Sequence, residues 1–173
     1  MADIPDQLVL KVARDREGKR DVTARRIGLA ALVVVIGLGL LNLFGQRPST
    51  TVAGSDAARL EVYAPERVRG GLFYEARFRI DAVREVRQAT LVLDSGWAEG
   101  ITINTVEPAP IGEASRDGRL AFELGRIPAG QKHVFFLQLQ VNPTNVGHRS
   151  QDVELYDGDK LLATINRTIT VFP

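Results

Sequence analysis

The side chains best suited to acid–base chemistry in this sequence are two histidines that lie apart along the chain. His133 begins an alternating segment, and His148 lies in a short polar stretch. Neither lies on a predicted helix or hairpin with another ligand type two or four residues away, and no G-x-S-x-G, H-E-x-x-H or glycine-rich phosphate loop occurs in the sequence. We therefore predict no catalytic residues, no cofactor and a non-enzymatic protein, with His133 at a strand end rather than acting as a general base.

Four carboxylates around the last predicted hairpin raise a second chemical possibility, a calcium site. They are Asp152, Glu154, Asp157 and Asp159. Calcium prefers several oxygens that converge from a flexible loop. Asp157-Gly158-Asp159 is also typical of a hairpin turn, and alternation places the other two carboxylates on the outer face of a strand. We favour the turn and predict no metal site; the absence of cysteine also excludes thiolate ligands.

Arginines crowd into the first two predicted strands, where they could bind an anionic partner. Arg77 and Arg79 alternate with Glu75 and Asp81. This pattern is typical of a solvated strand face with ion pairs. The alternative is a contact face for lipid headgroups, an anionic wall polymer or an acidic partner. Both interpretations stay open at this point.

Two loop segments are further candidates for partner contact. Trp97 is flanked by glycines, which favours burial over one end of the core, although a protruding tryptophan would be a contact hot spot. The segment containing Pro108, Pro110 and Ile111 is apolar and kinked. We predict that these three residues and Trp97 form one recognition end.

The element that constrains the location of the protein is an uncharged run over residues 27–44. Twelve of these eighteen residues are Leu, Ile, Val or Phe. As a helix the run is about 27 Å long, close to the ~30 Å hydrocarbon core of a bilayer. We predict a transmembrane signal anchor over residues 27–45 that includes Ile27, Val34, Leu40 and Phe44.

The flanking charges predict the orientation of this span. Arg25 and Arg26 directly precede it, whereas only Arg47 follows before Arg59. Because positive residues stay on the cytoplasmic side, we expect a basic cytoplasmic arm over 1–26 and an extracytoplasmic C-terminal region, in the plasma membrane. A cleaved signal peptide is the alternative, but its apolar region would be only about 7–15 residues long. We therefore expect a retained anchor.

The remainder of the chain predicts one β-domain after a short linker. Residues 46–57 are mostly small and polar, which indicates the linker, and from residue 58 onward the apolar residues alternate. About eight strands separated by turn signals predict a single antiparallel β-sandwich of the immunoglobulin-like type over 58–173. The predicted core is Leu72, Tyr74, Phe78, Ile80, Leu91, Leu93, Phe122, Leu124, Phe135, Leu137, Leu139, Val153, Leu155, Ile165 and Ile169.

One segment also resembles a known family. Residues 120–141 contain a strand, the sequence Leu124-Gly-Arg-Ile-Pro-Ala-Gly130 and a long alternating strand. This resembles the Ig-like conserved-repeat domains of bacterial surface proteins, in which such a corner joins two late strands. The resemblance implies the sandwich fold and a spacer or binding role, and it transfers no functional residue.

Composition narrows the classes of function that remain. Residues 48–173 carry 14 Lys/Arg and 16 Asp/Glu, so no basic field indicates nucleic acid. We expect an accessory subunit that packs on an integral membrane protein near the bilayer. The alternative is a module that binds a cell-envelope ligand, such as a wall polymer or lipid headgroup. A signalling sensor is disfavoured because a 26-residue arm is too short for an inner domain. Homo-oligomerisation stays open.

Overall fold

The computed structural model describes residues 7–41 and 46–173, and it divides the chain into two units, Met1–Leu43 and Phe44–Pro173. The first unit contains one helix, α1 (Gln7–Leu40). Within it, Asp21–Leu40 has a mean hydropathy of 1.8, so it is long and apolar enough to cross a membrane. The predicted arm is therefore helical from Gln7 onward, while Phe44 lies outside the described residues.

The second unit is almost entirely β-structure. Its strands are β1 (Pro48–Gly54), β2 (Ala58–Pro65), β3 (Arg67–Arg69), β4 (Phe73–Ala82), β5 (Val86–Leu93), β6 (Ile101–Glu107), β7 (Gly112–Arg116), β8 (Arg119–Ile127), β9 (Lys132–Val141), β10 (Gly147–Ser150), β11 (Val153–Asp157), β12 (Lys160–Ile165) and β13 (Thr168–Phe172). A single turn of 3-10 helix, Ser95–Trp97, follows β5. The mainly β fold class predicted from the alternation is confirmed.

The strands form two five-stranded sheets and one small sheet. The first sheet has the order β1-β2-β4-β9-β6, the second β12-β11-β5-β8-β7, and the small sheet β10-β13-β3. Neighbours in the two large sheets are antiparallel, which is consistent with a β-sandwich. We call the end of the domain where β1 begins at Pro48 the lower end, and the end where β1 finishes at Gly54 the upper end.

The prediction of a linker over residues 46–57 is wrong for most of that range. Pro48–Gly54 is strand β1, and it pairs with β2 from Pro48 opposite Pro65 to Gly54 opposite Arg59. Its alternate residues Ser49, Thr51 and Ala53 are half-buried against the domain. Threonine and valine suit an edge strand of this kind, whereas we interpreted the small polar composition as coil. The β-domain therefore begins about ten residues earlier than predicted.

The core between the large sheets contains the predicted residues with one exception. Leu72 is 44% exposed because β4 begins one residue later and Leu72 belongs to the preceding turn. The centre of the core is an aromatic cluster. Phe78 lies 5.3 Å from Trp97 and 6.1 Å from Phe135 between ring centroids, and Phe122 lies 5.1 Å from Phe135. Rings from both sheets and from the 3-10 turn thus pack together.

Candidate interaction surface

Trp97 is a core residue and makes no surface contact. Its side chain is fully buried, and its Nε1 donates a hydrogen bond to the carbonyl oxygen of Gln151 at 3.0 Å. The guanidinium carbon of Arg167 lies 5.4 Å from the centre of the ring. The predicted burial over one end of the core is therefore correct. The partner contact assigned to Trp97 is wrong, since a side chain with no exposed surface cannot touch a partner.

A buried polar network surrounds Trp97 at the lower end. Gln151 Nε2 donates to Tyr74 Oη at 3.1 Å, and Arg167 Nη2 donates to the carbonyls of Ala64 and Pro65 at 3.2 and 3.0 Å. Burial raises the pKa of Tyr74 to about 12 and lowers the pKa of Arg167. These side chains are held by one another and by backbone groups, so the network closes the end of the core.

The Pro108–Ile111 loop is exposed, but it does not meet Trp97. Trp97 precedes β6 and the loop follows it, so the length of that strand separates them. The loop crosses from the edge of the first sheet to β7 at the edge of the second. Ile111 is 76% exposed. Its Cδ1 lies against Gly125, where an added Cβ would be only 2.2 Å from it. The single recognition end that we predicted is therefore not formed.

Arg77 and Arg79 lie on the outer face of the first sheet in different environments. Arg79 Nε is 3.1 Å from Asp81 Oδ1, as expected for a solvated ion pair on a strand face. The Arg77 guanidinium carbon lies 4.9 Å from the ring centre of Tyr63 on the neighbouring strand. Stacking on an aromatic ring leaves the N–H groups at the edge of the guanidinium able to bind an anion or a carbonyl.

Strand register aligns Arg77 with other candidate contact residues. Tyr63 is opposite Arg77, Arg77 is opposite Phe136, and Phe136 is opposite Glu107. Pro108 follows Glu107 directly. We call this row the Arg77 band: Tyr63, Arg77, Phe136, Glu107 and Pro108. It joins two of the sequence candidates, Arg77 and Pro108, whereas Pro110 and Ile111 lie beyond it toward the second sheet.

Phe136 is one of three members of the band, with Tyr63 and Glu107, that the sequence analysis missed. Phe135 and Phe136 are consecutive in β9, so one faces the core and the other faces outward. Phe136 is half-buried on the outer face and borders an open hollow of about 460 Å³. That hollow is lined by Glu75, Thr105, Glu107, Pro108, Phe136 and Gln138. An apolar residue at an outward position of an alternating strand was the available signal.

The carboxylates of the last hairpin are engaged by protein groups. Asp157 Oδ1 accepts hydrogen bonds from the backbone N–H groups of Arg87 and Gln88 at 2.9 and 2.8 Å. Asp152 Oδ1 accepts from the N–H of Arg167 at 2.9 Å. Within the described residues, no group of three or more His, Cys, Asp or Glu could hold a metal ion. These carboxylates organise turns and strand ends.

Glu154 belongs to an ion-paired cluster on the outer face of the second sheet. Its Oε2 lies 2.9 Å from Arg119 Nη2 and accepts the Tyr156 hydroxyl at 2.8 Å. Arg116 covers the ring of Tyr156 at 3.8 Å. The hydrogen bond from Arg119 lowers the pKa of Glu154, and the hydrogen bond to Glu154 raises that of Tyr156. The cluster flanks Val92, which is fully buried opposite Glu154.

The two histidines lie on separate parts of the domain. His133 is near the upper end, at the start of β9, and partial burial lowers its pKa. His148 lies in the small sheet, where its Nδ1 is 3.0 Å from Thr170 Oγ1. Their separation leaves no pair that could act together as acid and base.

Comparisons with known proteins give similarities of fold only. No family model and no curated protein matches the chain. Similar solved structures include the sporulation control protein Spo0M from Bacillus subtilis, at 14% identity and TM-score 0.41 over 68% of this chain and 50% of that one. A CARDB domain from Pyrococcus furiosus, solved with di-metal ions, matches at 12% identity and TM-score 0.40 over 73% of this chain and 94% of that one.

A β-glucosidase from Listeria innocua matches less of its own length. The identity is 10% and the TM-score 0.31, over 75% of this chain and 17% of that one. The chain thus spans only half of Spo0M and a small part of the glucosidase. At these identities and TM-scores, nothing about activity or ligands transfers to this chain.

Proposed function

We propose that this chain is a membrane-tethered, non-enzymatic accessory subunit whose β-domain binds an integral membrane protein through the Arg77 band. The observation that carries the proposal is the apolar segment of α1. Its large side chains are open to the surroundings, with Ile27 65%, Val34 59% and Leu40 83% exposed. Such a surface is costly in water and favourable in a bilayer, where each Leu, Ile or Val contributes roughly −0.3 to −0.6 kcal/mol to insertion.

The charge distribution supports an extracytoplasmic β-domain. Arg25 and Arg26 directly precede the apolar segment, and Arg47 is the next basic residue after it. The positive-inside tendency therefore favours a cytoplasmic N-terminus. In this proposal the span lies in the plasma membrane and is retained as a signal anchor.

The short connection between the helix and β1 favours a membrane-proximal partner. Seven residues, 41–47, separate Leu40 from Pro48. Fully extended, such a connection reaches at most about 28 Å. Because β1 belongs to the domain, this connection is shorter than the linker predicted from the sequence.

The composition of the Arg77 band suits a protein contact. Tyrosine, phenylalanine and arginine are enriched at protein interfaces, where large rings and a cation with several donors contribute most of the binding. All three residue types meet in adjacent strands at the middle of an open sheet face. By contrast, the separated histidines and the engaged carboxylates offer no acid–base pair, which supports a non-enzymatic role.

A module that binds a cell-envelope polymer is the second candidate, and the hollow beside Phe136 favours it. An aromatic ring next to the side chains of Glu75, Thr105 and Gln138 offers one stacking surface and several hydrogen-bonding groups. A sugar-containing polymer would use both. The immunoglobulin-like resemblance of residues 120–141 is compatible with either candidate.

Site-specific photocrosslinking in native membranes distinguishes these candidates. A benzoylphenylalanine at Phe136 is expected to capture one membrane protein. The same probe at Thr164, exposed on the second sheet, should not capture it. Arg77→Glu should abolish the adduct at Phe136 while leaving the protein in the membrane. An adduct with envelope glycan would favour the second candidate, and equal adducts at both positions would contradict a specific surface.

Cysteine labelling tests the topology, since the natural chain has no cysteine. Asp56 is a suitable outer position because its side chain is fully exposed, whereas Ser49 donates a hydrogen bond to Glu66 and is half-buried. We expect an impermeant reagent to label Asp56→Cys and not Gly18→Cys in intact cells. Labelling of Gly18→Cys and not of Asp56→Cys would overturn the proposed orientation. Release of the protein from the membrane by alkaline extraction would overturn the proposed anchor.

A further inference from the structure

We propose that the lower end of the β-domain docks onto an anionic bilayer surface through the turn between β3 and β4. The inference rests on the proposed membrane tether, and it adds a second contact with the same membrane. The turn exposes two large apolar side chains, Leu72 at 44% and Phe73 at 64%. Val146, in the loop before β10, is 48% exposed.

Backbone contacts join the turn and this loop into one patch. The N–H of Gly71 donates to the carbonyl of Val141 at 3.0 Å, and the N–H of Val141 donates to the carbonyl of Leu72 at 3.0 Å. A Cβ on Gly70 would lie 2.9 Å from the carbonyl oxygen of Pro143, so the two segments touch closely here. The patch is therefore held by the fold. We call it the lower patch: Arg67, Arg69, Leu72, Phe73 and Val146.

Two arginines give the lower patch its charge. In β3 the middle residue, Val68, is buried, so alternation turns Arg67 and Arg69 outward, where both are exposed. No carboxylate of the described residues lies within salt-bridge distance of either guanidinium. The adjacent Glu66 accepts a hydrogen bond from Ser49. Both arginines are thus able to bind phosphate oxygens.

The lower patch also lies beside the first described residues of the β-domain. Gln46, five residues after Leu41, donates a hydrogen bond from Nε2 to the carbonyl of Phe73 at 3.0 Å. Other exposed apolar residues of the domain, such as Val83 and Ile111, belong to different loops. A patch close to the start of the domain is separated from the proposed membrane span by a short stretch of chain.

The size and chemistry of the patch favour lipid over a protein partner. Two large apolar side chains and a valine cover far less than the roughly 1,200 Å² that a stable protein interface buries. An aromatic ring at headgroup level, with arginines beside it, is typical of residues that meet a membrane interface. Arginines near an anionic leaflet add an attraction that decays within about 10 Å at ordinary ionic strength.

Headgroup quenching in nanodiscs tests this docking with the full chain. A fluorophore on Thr144→Cys, beside the patch, is compared with one on Asp56→Cys at the upper end, using lipids with a nitroxide headgroup. We expect strong quenching at Thr144 and little at Asp56 when the disc contains 30% phosphatidylglycerol. Quenching at Thr144 should weaken in discs of pure phosphatidylcholine and at high salt.

Two matched double variants identify the contributing residues. Arg67→Gln with Arg69→Gln should lower the ratio of docked to undocked domain about 25-fold, roughly fivefold for each arginine. Leu72→Ser with Phe73→Ser should reduce it as well. Val83→Ser with Arg84→Gln, which removes one apolar side chain and one arginine at the upper end, should leave quenching at Thr144 unchanged. A melting curve of each variant separates docking from unfolding.

The outcomes also separate this inference from the tether itself. If the chain stays in the disc but quenching is equal at Thr144 and Asp56, the docking is wrong while the anchor stands. If lower-patch variants change quenching only when a membrane-protein partner is added, the patch binds protein and the lipid proposal is overturned. If the chain leaves the disc on alkaline treatment, the proposed anchor fails.

Discussion

Among the three arginines that lie over aromatic rings in the described part of the domain, Arg167 and Arg77 have different surroundings. Arg167 lies 5.4 Å from the ring centre of Trp97, is 7% exposed and spends one nitrogen on two backbone carbonyls. Arg77 lies 4.9 Å from the ring centre of Tyr63 and is half-buried on an open sheet face. An arginine–aromatic pair thus closes the core in one place and lies on an open sheet face in the other.

Burial decides which role such a pair can have. A buried guanidinium loses its hydration, and the hydrogen bonds from Arg167 Nη2 to the carbonyls of Ala64 and Pro65 make this one part of the structure. A half-buried one keeps water on its outer edge, and a partner can replace that water with little rearrangement. We therefore expect changes around Trp97 to act on the free energy of unfolding, and changes around Arg77 to act on binding.

The largest effect should come from removing the buried ring. Trp97→Ala should lower the free energy of unfolding by about 3–5 kcal/mol, because it leaves a cavity among Phe78 and Arg167. Trp97→Phe keeps much of the volume but leaves the Gln151 carbonyl without its donor, which should cost about 1–3 kcal/mol. Urea unfolding of the full chain in detergent, followed by circular dichroism, measures both. A Trp97→Ala domain as stable as the parent would contradict a structural role.

The next effect is a loss of stability at high pH caused by Tyr74. Its ordinary pKa of 10.0 is raised to about 12 by burial, so the folded state holds the proton more tightly than the unfolded state. The contribution of protonated Tyr74 to the free energy of unfolding should be fully present below pH 10 and should fall as the pH rises toward 12. Two pKa units correspond to about 2.7 kcal/mol. Tyr74→Phe should remove this pH dependence in unfolding experiments, whereas Tyr63→Phe is the matched control that should keep it.

A smaller effect is expected at low pH from the cluster on the second sheet. Arg119 lowers the pKa of Glu154 below its ordinary value of 4.5, so the folded state favours the charged carboxylate. Its contribution is present above pH 4.5 and is lost as the pH falls through the lowered pKa. The stability difference between the parent and Glu154→Gln should therefore shrink in acid. A difference that is constant from pH 7 to pH 3 would mean that the ion pair contributes nothing.

The sequence predicts the core better than the ends and the surface. Alternation predicts that Phe78, Leu91 and Phe135 face the core, because successive residues of a strand point to opposite faces of the sheet. Strand β1 was missed because its small residues give a weak pattern and its pairing with β2 is a tertiary effect. The exposure of Leu72 could not be predicted either, because it depends on β4 beginning at Phe73 and leaving Leu72 in the preceding turn.

The candidate surface needed the register between strands that are distant in sequence. Arg77 and Pro108 were recognised separately, but their alignment through Phe136 follows from the pairing of β9 with both β4 and β6. No local pattern states which strand lies between two others. For the same reason Trp97 and Ile111 were joined into one recognition end, although β6 separates them.

The smallest effect on stability, and the sharpest contrast with Trp97, is expected for the Arg77 band. Arg77→Ala and Phe136→Ser remove half-buried side chains on the outer sheet face, so each should lower the free energy of unfolding by only about 1 kcal/mol. Both should nevertheless remove the photocrosslink from a neighbouring probe at Gln138, because the contact residues are gone. Thr164→Ala, an exposed change on the second sheet, controls for a general surface effect. If Arg77→Ala destabilised the domain as strongly as Trp97→Ala, the pairs Arg77–Tyr63 and Arg167–Trp97 would share one structural role, which would contradict the Arg77 band as a binding surface.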